Sequence, residues 1–265
     1  TFPHSRESTA KFQDEWAVFG IYGHKEAANL TCLGLYARQH RGQEASGIVS
    51  GDGEQFHVHK GKGLVADIYN THALDQLTGS MAIGHNRYST AGGNDLKNVQ
   101  PLSVNFAFGN LALAHNGNLI NAQVLRHELE AYGAIFQSTS DSEVIIHLIA
   151  HSRADTLLAR IIDALSQVRG AFSVVLQTDD GIIAVRDPHG FRPLCLGRLG
   201  DTYLVASETC AFDLLGAEIV REIEPGELVV LNDKGVTSHK PFAPVSPAMC
   251  VFEYVYFARP DSKIF

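Results

Sequence analysis

The sequence predicts a layered α+β domain. Short β-rich runs fall into two groups, with helical stretches between and after them, which is the pattern of sheets covered by helices. With 265 residues, 45% of them hydrophobic, the chain has enough apolar material for a full core. No GxGxxG or P-loop follows a strand, so nothing supports a nucleotide-binding parallel sheet.

The elements follow in chain order. In residues 26–38, Ala27, Leu30, Leu33, Tyr36 and Ala37 recur at helical spacing. Asp52-Gly53, between SGIVS and EQFHVHK, reads as a tight hairpin, and so does Asp180-Gly181, between FSVVLQT and IIAV. In both, glycine supplies the positive φ of a primed turn. Ser140 and Glu143 have the spacing of a capping box ahead of VIIHLIA. Asp155 is placed to cap a helix whose Leu157, Leu158, Ile161, Ile162 and Leu165 make one apolar stripe. TYLVAS (202–207), GELVVLN (226–232) and CVFEYVYFA (250–258) add strands. We read a leader over residues 1–15, one domain over 16–250, and the start of a further connection over 251–265.

Composition narrows the function. A formal charge of −8 and the lack of any run of four basic residues argue against a nucleic-acid partner. No apolar stretch approaches the roughly 20 residues that span a bilayer, and residues 1–15 have no apolar signal core. Cys32, Cys195, Cys210 and Cys250 are widely spaced, as free thiols in a reducing cytoplasm would be.

The chemistry concentrates in DEWAVFGIYG (14–23), QHRGQ (39–43), GHNRYSTAGG (84–93), AHNGNLIN (114–121) and STSDSE (138–143). Singly, each has a plain structural explanation: Asn116-Gly117 as a turn, Asp141 as a first-turn acid, Arg87 as a surface strand residue. Together they suit attack on the side-chain amide of a free amino acid. A guanidinium clamps an α-carboxylate, an aspartate meets an α-ammonium, and a side-chain amide with a neighbouring backbone N–H holds a developing oxyanion. Arg87, Asp141 and Asn116-Gly117 are the matching groups, and no nucleophile accompanies them.

These segments resemble class II glutamine amidotransferases. VRDPHGFRPL (185–194), VASETCAFD (205–213), REIEPGE (221–227) and FEYVYFARPDS (252–262) narrow the resemblance to the amidophosphoribosyltransferase family. It implies a four-layer αββα sandwich of the N-terminal-nucleophile hydrolase type and L-glutamine as substrate. Arg87 would hold the substrate carboxylate, Asp141 the α-amino group, and Asn116 with Gly117 would form the oxyanion hole; Arg41, Tyr88 and Thr90 join the substrate-binding set. The loop from Arg87 through Gly92-Gly93 to about Asn98 resembles the segment that closes over glutamine. For a full-length parent the resemblance implies a C-terminal phosphoribosyltransferase domain using Mg, a homo-oligomer and, in cluster-bearing members, a [4Fe–4S] centre with Cys250 as one ligand. Residues 251–265 then begin the connection to that domain. No cofactor is expected on this chain itself, since a four-cysteine cluster site cannot be assembled here.

One departure bears on mechanism. The family's mature chain begins at a Cys-Gly after acidic residues, whereas here Asp14-Glu15 are followed by Trp16-Ala17. Indole has an N–H donor and no nucleophilic lone pair. It also fills far more volume than a thiol, so the expectation is a plugged glutamine pocket and no glutaminase activity. Cys32, inside a predicted helix, and Thr1, off the motif, make poor substitutes. His40, His85 and His115 read as core hydrogen-bonders. His57 and His59 alternate on one strand without a third ligand. Asn86 needs polar partners if it points inward. The competing expectation is a pseudo-glutaminase that binds glutamine or docks the transferase domain without catalysis.

Overall fold

Burial on both faces of its strands decides how this chain is layered. The structure, a computed structural model, describes residues 16–88, 95–248, 259, 262 and 263. In chain order it begins with β1 (Trp16–Tyr22), α1 (Ala27–Tyr36), β2 (Ala45–Gly51), β3 (Phe56–Lys62), α2 (Val65–Ile68), α3 (Thr71–Asp75) and β4 (Met81–Arg87). There follow β5 (Leu102–Phe106), β6 (Gly109–Leu119), α4 (Ala122–Ala131), α5 (Ser142–His151) and α6 (Leu157–Gln167). The chain continues through β7 (Gly170–Thr178), β8 (Gly181–Arg186), β9 (Cys195–Leu199), β10 (Thr202–Ala206), α7 (Cys210–Leu215), β11 (Glu218–Glu222), β12 (Leu228–Asn232) and β13 (Gly235–His239). The strands form a seven-stranded sheet, β11-β9-β10-β1-β4-β2-β3, and a six-stranded sheet, β13-β12-β8-β7-β6-β5.

Successive side chains of a strand point to opposite faces, and in β1 both faces are apolar. Val18 packs into a middle layer with Ala112, Ala114 and Val175 of the other sheet. Phe19 and Ile21 face the opposite way, against Ala27 and Leu35 of α1 and Phe212 of α7. The outer face of the second sheet, including Leu113, Phe172 and Val174, is covered by Leu125, Ile145, Ile149 and Ile161 of α4, α5 and α6. Three apolar layers between four layers of elements make the αββα sandwich that the resemblance implied. Phe19 and Phe212 are fully buried, and each such side chain contributes about 1.5–3 kcal/mol. Helix α1 comes close to β1 because Gly34 has no side chain: a Cβ there would lie 2.7 Å from the Phe19 ring.

Several local expectations shift. The buried stripe of α1 is Ala27, Ala28, Thr31, Gly34 and Leu35. Leu33 and Tyr36 are 46% and 55% exposed, because the sheet selects the other side of the helix. Ser140 and Glu143 do not form a capping box. Glu143 turns its carboxylate back to Gln137 N, Ser138 N and Ser138 Oγ, and Asp141 is the N-cap. The cap of α6 is Thr156, one residue after the expected Asp155, with its side chain accepting from Ala159 N. In the β7–β8 hairpin Thr178 pairs with Gly181, so Asp179-Asp180 form the turn and Gly181 opens the strand at φ +152°. Asp52-Gly53 belongs to a four-residue loop between β2 and β3, where Asp52 Oδ1 accepts the N–H groups of Glu54 and Gln55. The His59 ring packs against Tyr69, tilted by 55° with centroids 5.5 Å apart. Residues 1–15, the expected strand over 250–258, Thr90 and Cys250 lie outside the described residues. Among the described residues no helix is long and apolar enough to cross a membrane.

Candidate active site

Strand β1 lies between β10 and β4, and its first residue, Trp16, runs past the end of β10, whose pairing begins at Phe19. Trp16 pairs with Arg87 at the end of β4, and alternation places both on the face turned toward the second sheet. The indole ring lies 6.1 Å from the His85 ring and 5.9 Å from the His115 ring, edge-on to the latter. Its Nε1–H donates to the carbonyl oxygen of Tyr88 at 3.0 Å. Trp16 is thus held on several sides at the root of the segment that carries Arg87.

Behind it stands a chain of polar contacts. His85 donates from Nε2 to the His115 carbonyl at 3.2 Å, which requires the Nε2–H tautomer. Full burial pushes its pKa down to about 3, so the ring is neutral. His115 Nδ1 lies 2.9 Å from Ser142 Oγ and 3.9 Å from Asp141 Oδ1. Its backbone N–H donates to Gln100 Oε1, and Gln100 Nε2 donates to Ser142 Oγ. The Asp141 carboxylate accepts from Leu119 N at 3.0 Å and from Ser142 Oγ at 3.3 Å, and its side chain keeps 17% exposure. These bonds orient the carboxylate while leaving it reachable.

Asn116 and Gly117 follow His115 on β6. Asn116 is fully buried; its Nδ2 donates to Ser207 Oγ at 3.5 Å, and its Oδ1 meets no partner among the described residues. Ser207 Oγ also accepts the Val18 N–H at 3.0 Å, which ties Asn116 to the start of β1. Gly117 has φ +149°, and a Cβ there would sit 1.9 Å from the carbonyl oxygen of Ala171, so only glycine fits. Arg87 is buried, which lowers its pKa, while the charge of Glu44 opposes the shift.

Trp16, Arg87, Asn116, Gly117, Asp141 and the Tyr88 backbone therefore gather at one end of the sandwich. Arg41 belongs to a neighbouring cluster. It is fully buried, and its Nε donates to Glu208. Glu208 also meets His40 Nε2 at 3.2 Å, Ser262 Oγ at 2.7 Å and Arg259 N at 3.0 Å. Burial works against ionisation of Glu208, yet Arg41 and these donors hold its carboxyl far below the usual range. Asn86 faces α1 and donates to Leu35 O at 2.8 Å. Ser207, Gln100, Ser142 and Glu208 carry much of the network and were not singled out in the sequence. Apart from the Ser142–Asp141 contact, the bonds described here join residues between 15 and 189 positions apart, a distance over which no local pattern acts.

A family profile described as glutamine amidotransferase domain matches residues 85–213, which include Arg87, Asn116, Gly117 and Asp141. Over 252 residues the chain is 49% identical to amidophosphoribosyltransferase of Bacillus subtilis (strain 168), covering 95% of this chain and 53% of that protein. The chain belongs to the glutamine amidotransferase domains of the amidophosphoribosyltransferase family. Chloroplastic amidophosphoribosyltransferase 1 of Arabidopsis thaliana is 48% identical over 264 residues, covering 99% of this chain and 47% of that protein. The solved glutamine phosphoribosylpyrophosphate amidotransferase from B. subtilis, complexed with ADP and GMP, superposes with a TM-score of 0.90 at 47% identity. That superposition covers 94% of this chain and 54% of the other. A class-II domain protein from Silicibacter pomeroyi, 12% identical with a TM-score of 0.55, shares the fold alone. The chain spans about half the length of the curated amidophosphoribosyltransferases it matches.

Proposed function

We propose that this domain is the glutaminase half of an amidophosphoribosyltransferase, built to release ammonia from glutamine for the formation of 5-phosphoribosylamine, and that this chain does not hydrolyse glutamine. Position 16 carries the proposal. A nucleophile at the first residue of β1 would sit beside Arg87 and close to His115, with Asn116 next along β6. In this arrangement Arg87 pairs with the α-carboxylate of glutamine and Asp141 with its α-ammonium. Attack on the side-chain amide places negative charge on its oxygen, and Asn116 Nδ2 with the Gly117 N–H receives it. The attacking group has to be a thiolate activated by its own α-amine. Trp16 has neither the sulfur nor, behind Glu15, a free amine. A [4Fe–4S] centre and Mg remain expectations for a longer parent. Cys250 lies outside the described residues, and among those described no group of three or more candidate ligands forms a metal site.

The decisive experiment restores the missing group. A W16C/A17G variant, trimmed so that the new cysteine is the N-terminus, is expected to release ammonia from glutamine while the present chain does not. Ammonia release by the present chain would overturn the assignment of inactivity.

A second reading is a non-catalytic module that still binds glutamine or docks a transferase domain. The ordered contacts of Trp16 with Tyr88, His85 and His115 favour it, because they show an indole fitted to its surroundings. Continued inactivity of the restored variant supports this reading. Calorimetry with glutamine on the present chain separates its two forms: a binding heat means a surviving pocket, and none means that Trp16 plugs it.

A further inference from the structure

Away from the Trp16 cluster, a cleft of about 230 Å³ lies between β3, β5 and the inner turns of α5. Its floor is apolar, made by Leu102, Val104 and Ile146, and two lysines line it, Lys60 from β3 and Lys97 from the short turn before β5. The two differ in their partners. Lys97 pairs with Asp95 at 3.2 Å near the surface. Lys60 is half-buried, and its amine meets no acceptor or acid among the described residues. Burial pushes its pKa down to about 8. The acid in the cleft, Glu143, makes no ion pair with it: its oxygens accept from Gln137 N, Ser138 N and Ser138 Oγ at 2.6–2.7 Å and lie 3.8 Å from His147 Nε2, which also lines the cleft. In a chain of formal charge −8, this is a largely apolar cleft that presents a cation with no ion-pair partner among the described residues.

A half-buried ammonium is partly stripped of water, and an anion that pairs with it there offsets part of that desolvation on binding. The volume is below the roughly 300–1,000 Å³ of drug-sized pockets, which restricts the occupant to a few heavy atoms. We propose that this cleft binds a small organic anion, with its carboxylate or phosphate head between Lys60 and Lys97 and a short apolar body on Leu102, Val104 and Ile146. The site is tied to the segment that carries Asp141 through the Asn98 side chain, which donates from Nδ2 to Thr139 Oγ1 at 3.0 Å and accepts the Thr139 N–H on Oδ1 at 2.9 Å.

Isothermal titration of the 265-residue chain with butyrate, and separately with butyl phosphate, tests this. Saturable one-to-one binding of at least one is expected, and the tighter of the two identifies the head group. Lys60→Met keeps the stem and removes the charge; it is expected to weaken binding at least about 10-fold, the effect of losing one charge-assisted contact, and to leave the thermal midpoint unchanged or higher. Lys60→Arg should stay within about 3-fold of the parent, because it keeps the charge. Should Lys60→Met fail to fold, Lys97→Met at the exposed rim provides the second measurement, with a loss of about 3-fold or more expected. Binding of neither anion, or affinity undiminished in the folded methionine variants, overturns the proposal.

Discussion

Two buried polar clusters meet at Ser207-Glu208, and they differ in how fully the chain itself engages and encloses their carboxylates, Glu208 in one and Asp141 in the other. Glu208 is saturated: Arg41, His40, Ser262 and the Arg259 N–H all reach its carboxylate, and the group is almost fully buried. One residue earlier, Ser207 supports Asn116 by a 3.5 Å bond, and Asn116 keeps an unmet Oδ1 in a fully buried position. Asp141, in the same cluster, holds two hydrogen bonds and retains exposure. A structural cluster closes its hydrogen bonds within the chain, because each unmet buried group is unfavourable by about 1–3 kcal/mol. Asp141, the more open of the two carboxylates, is the one that the proposed function assigns to the ligand.

Four measurements sharpen that contrast. The largest effect is expected from Glu208→Ala, which leaves Arg41 charged in the interior. Urea unfolding should show a loss of about 3–5 kcal/mol, and a loss under 1 kcal/mol would mean the cluster is not structural. Gly117→Ala comes next. Its positive φ and the nearby Ala171 carbonyl predict about 1–3 kcal/mol of destabilisation by the same assay.

The third measurement is stability against pH. His85 is neutral when folded, with a pKa near 3 against 6.5 when unfolded, because burial disfavours its charged form. The unfolded chain therefore binds the extra proton, and stability falls as pH drops from about 6.5 toward 3, by at most about 1.4 kcal/mol per pH unit from this group. Below the ordinary carboxylate range Glu208 adds a loss of the same sign, since its folded carboxyl is held low. Stability that is flat between pH 6.5 and 4 would contradict the buried neutral imidazole. Asn116→Ala should have the smallest effect on folding, about 1 kcal/mol or less, because it removes one long bond and an unmet oxygen. In the W16C/A17G background the same change should lower ammonia release about 10²–10³-fold, the usual loss for one oxyanion donor. An equal loss in stability and activity would mean that Asn116 is a packing residue.

Much of the fold was legible locally. Helix α1, the stripe of α6, and strands such as β7, β8, β10 and β12 follow from periodicity and turn residues. Which side of α1 is buried was not legible, because Leu33 and Tyr36 are as apolar as the residues that face the sheet. The capping box failed for a related reason: Glu143 had two sets of backbone N–H groups in reach, and those of Gln137 and Ser138 won. For the site, Arg87, Asn116, Gly117 and Asp141 came from motifs. Ser207 and Gln100 did not, because a hydroxyl or amide gains its role only when another strand is placed against it.

By itself, then, the amino-acid order determined the layered class, the residue types at the site, and the tryptophan at the start of β1, since each depends on chemistry within a few neighbouring positions. Tertiary structure alone decided that Trp16 is gripped by Tyr88, His85 and His115, that Arg41 is committed to Glu208, and that Lys60 has no counter-charge among the described residues. Those outcomes turn on which groups come within about 3–4 Å of each other across sheets, where hydrogen bonds and unscreened charge act strongly.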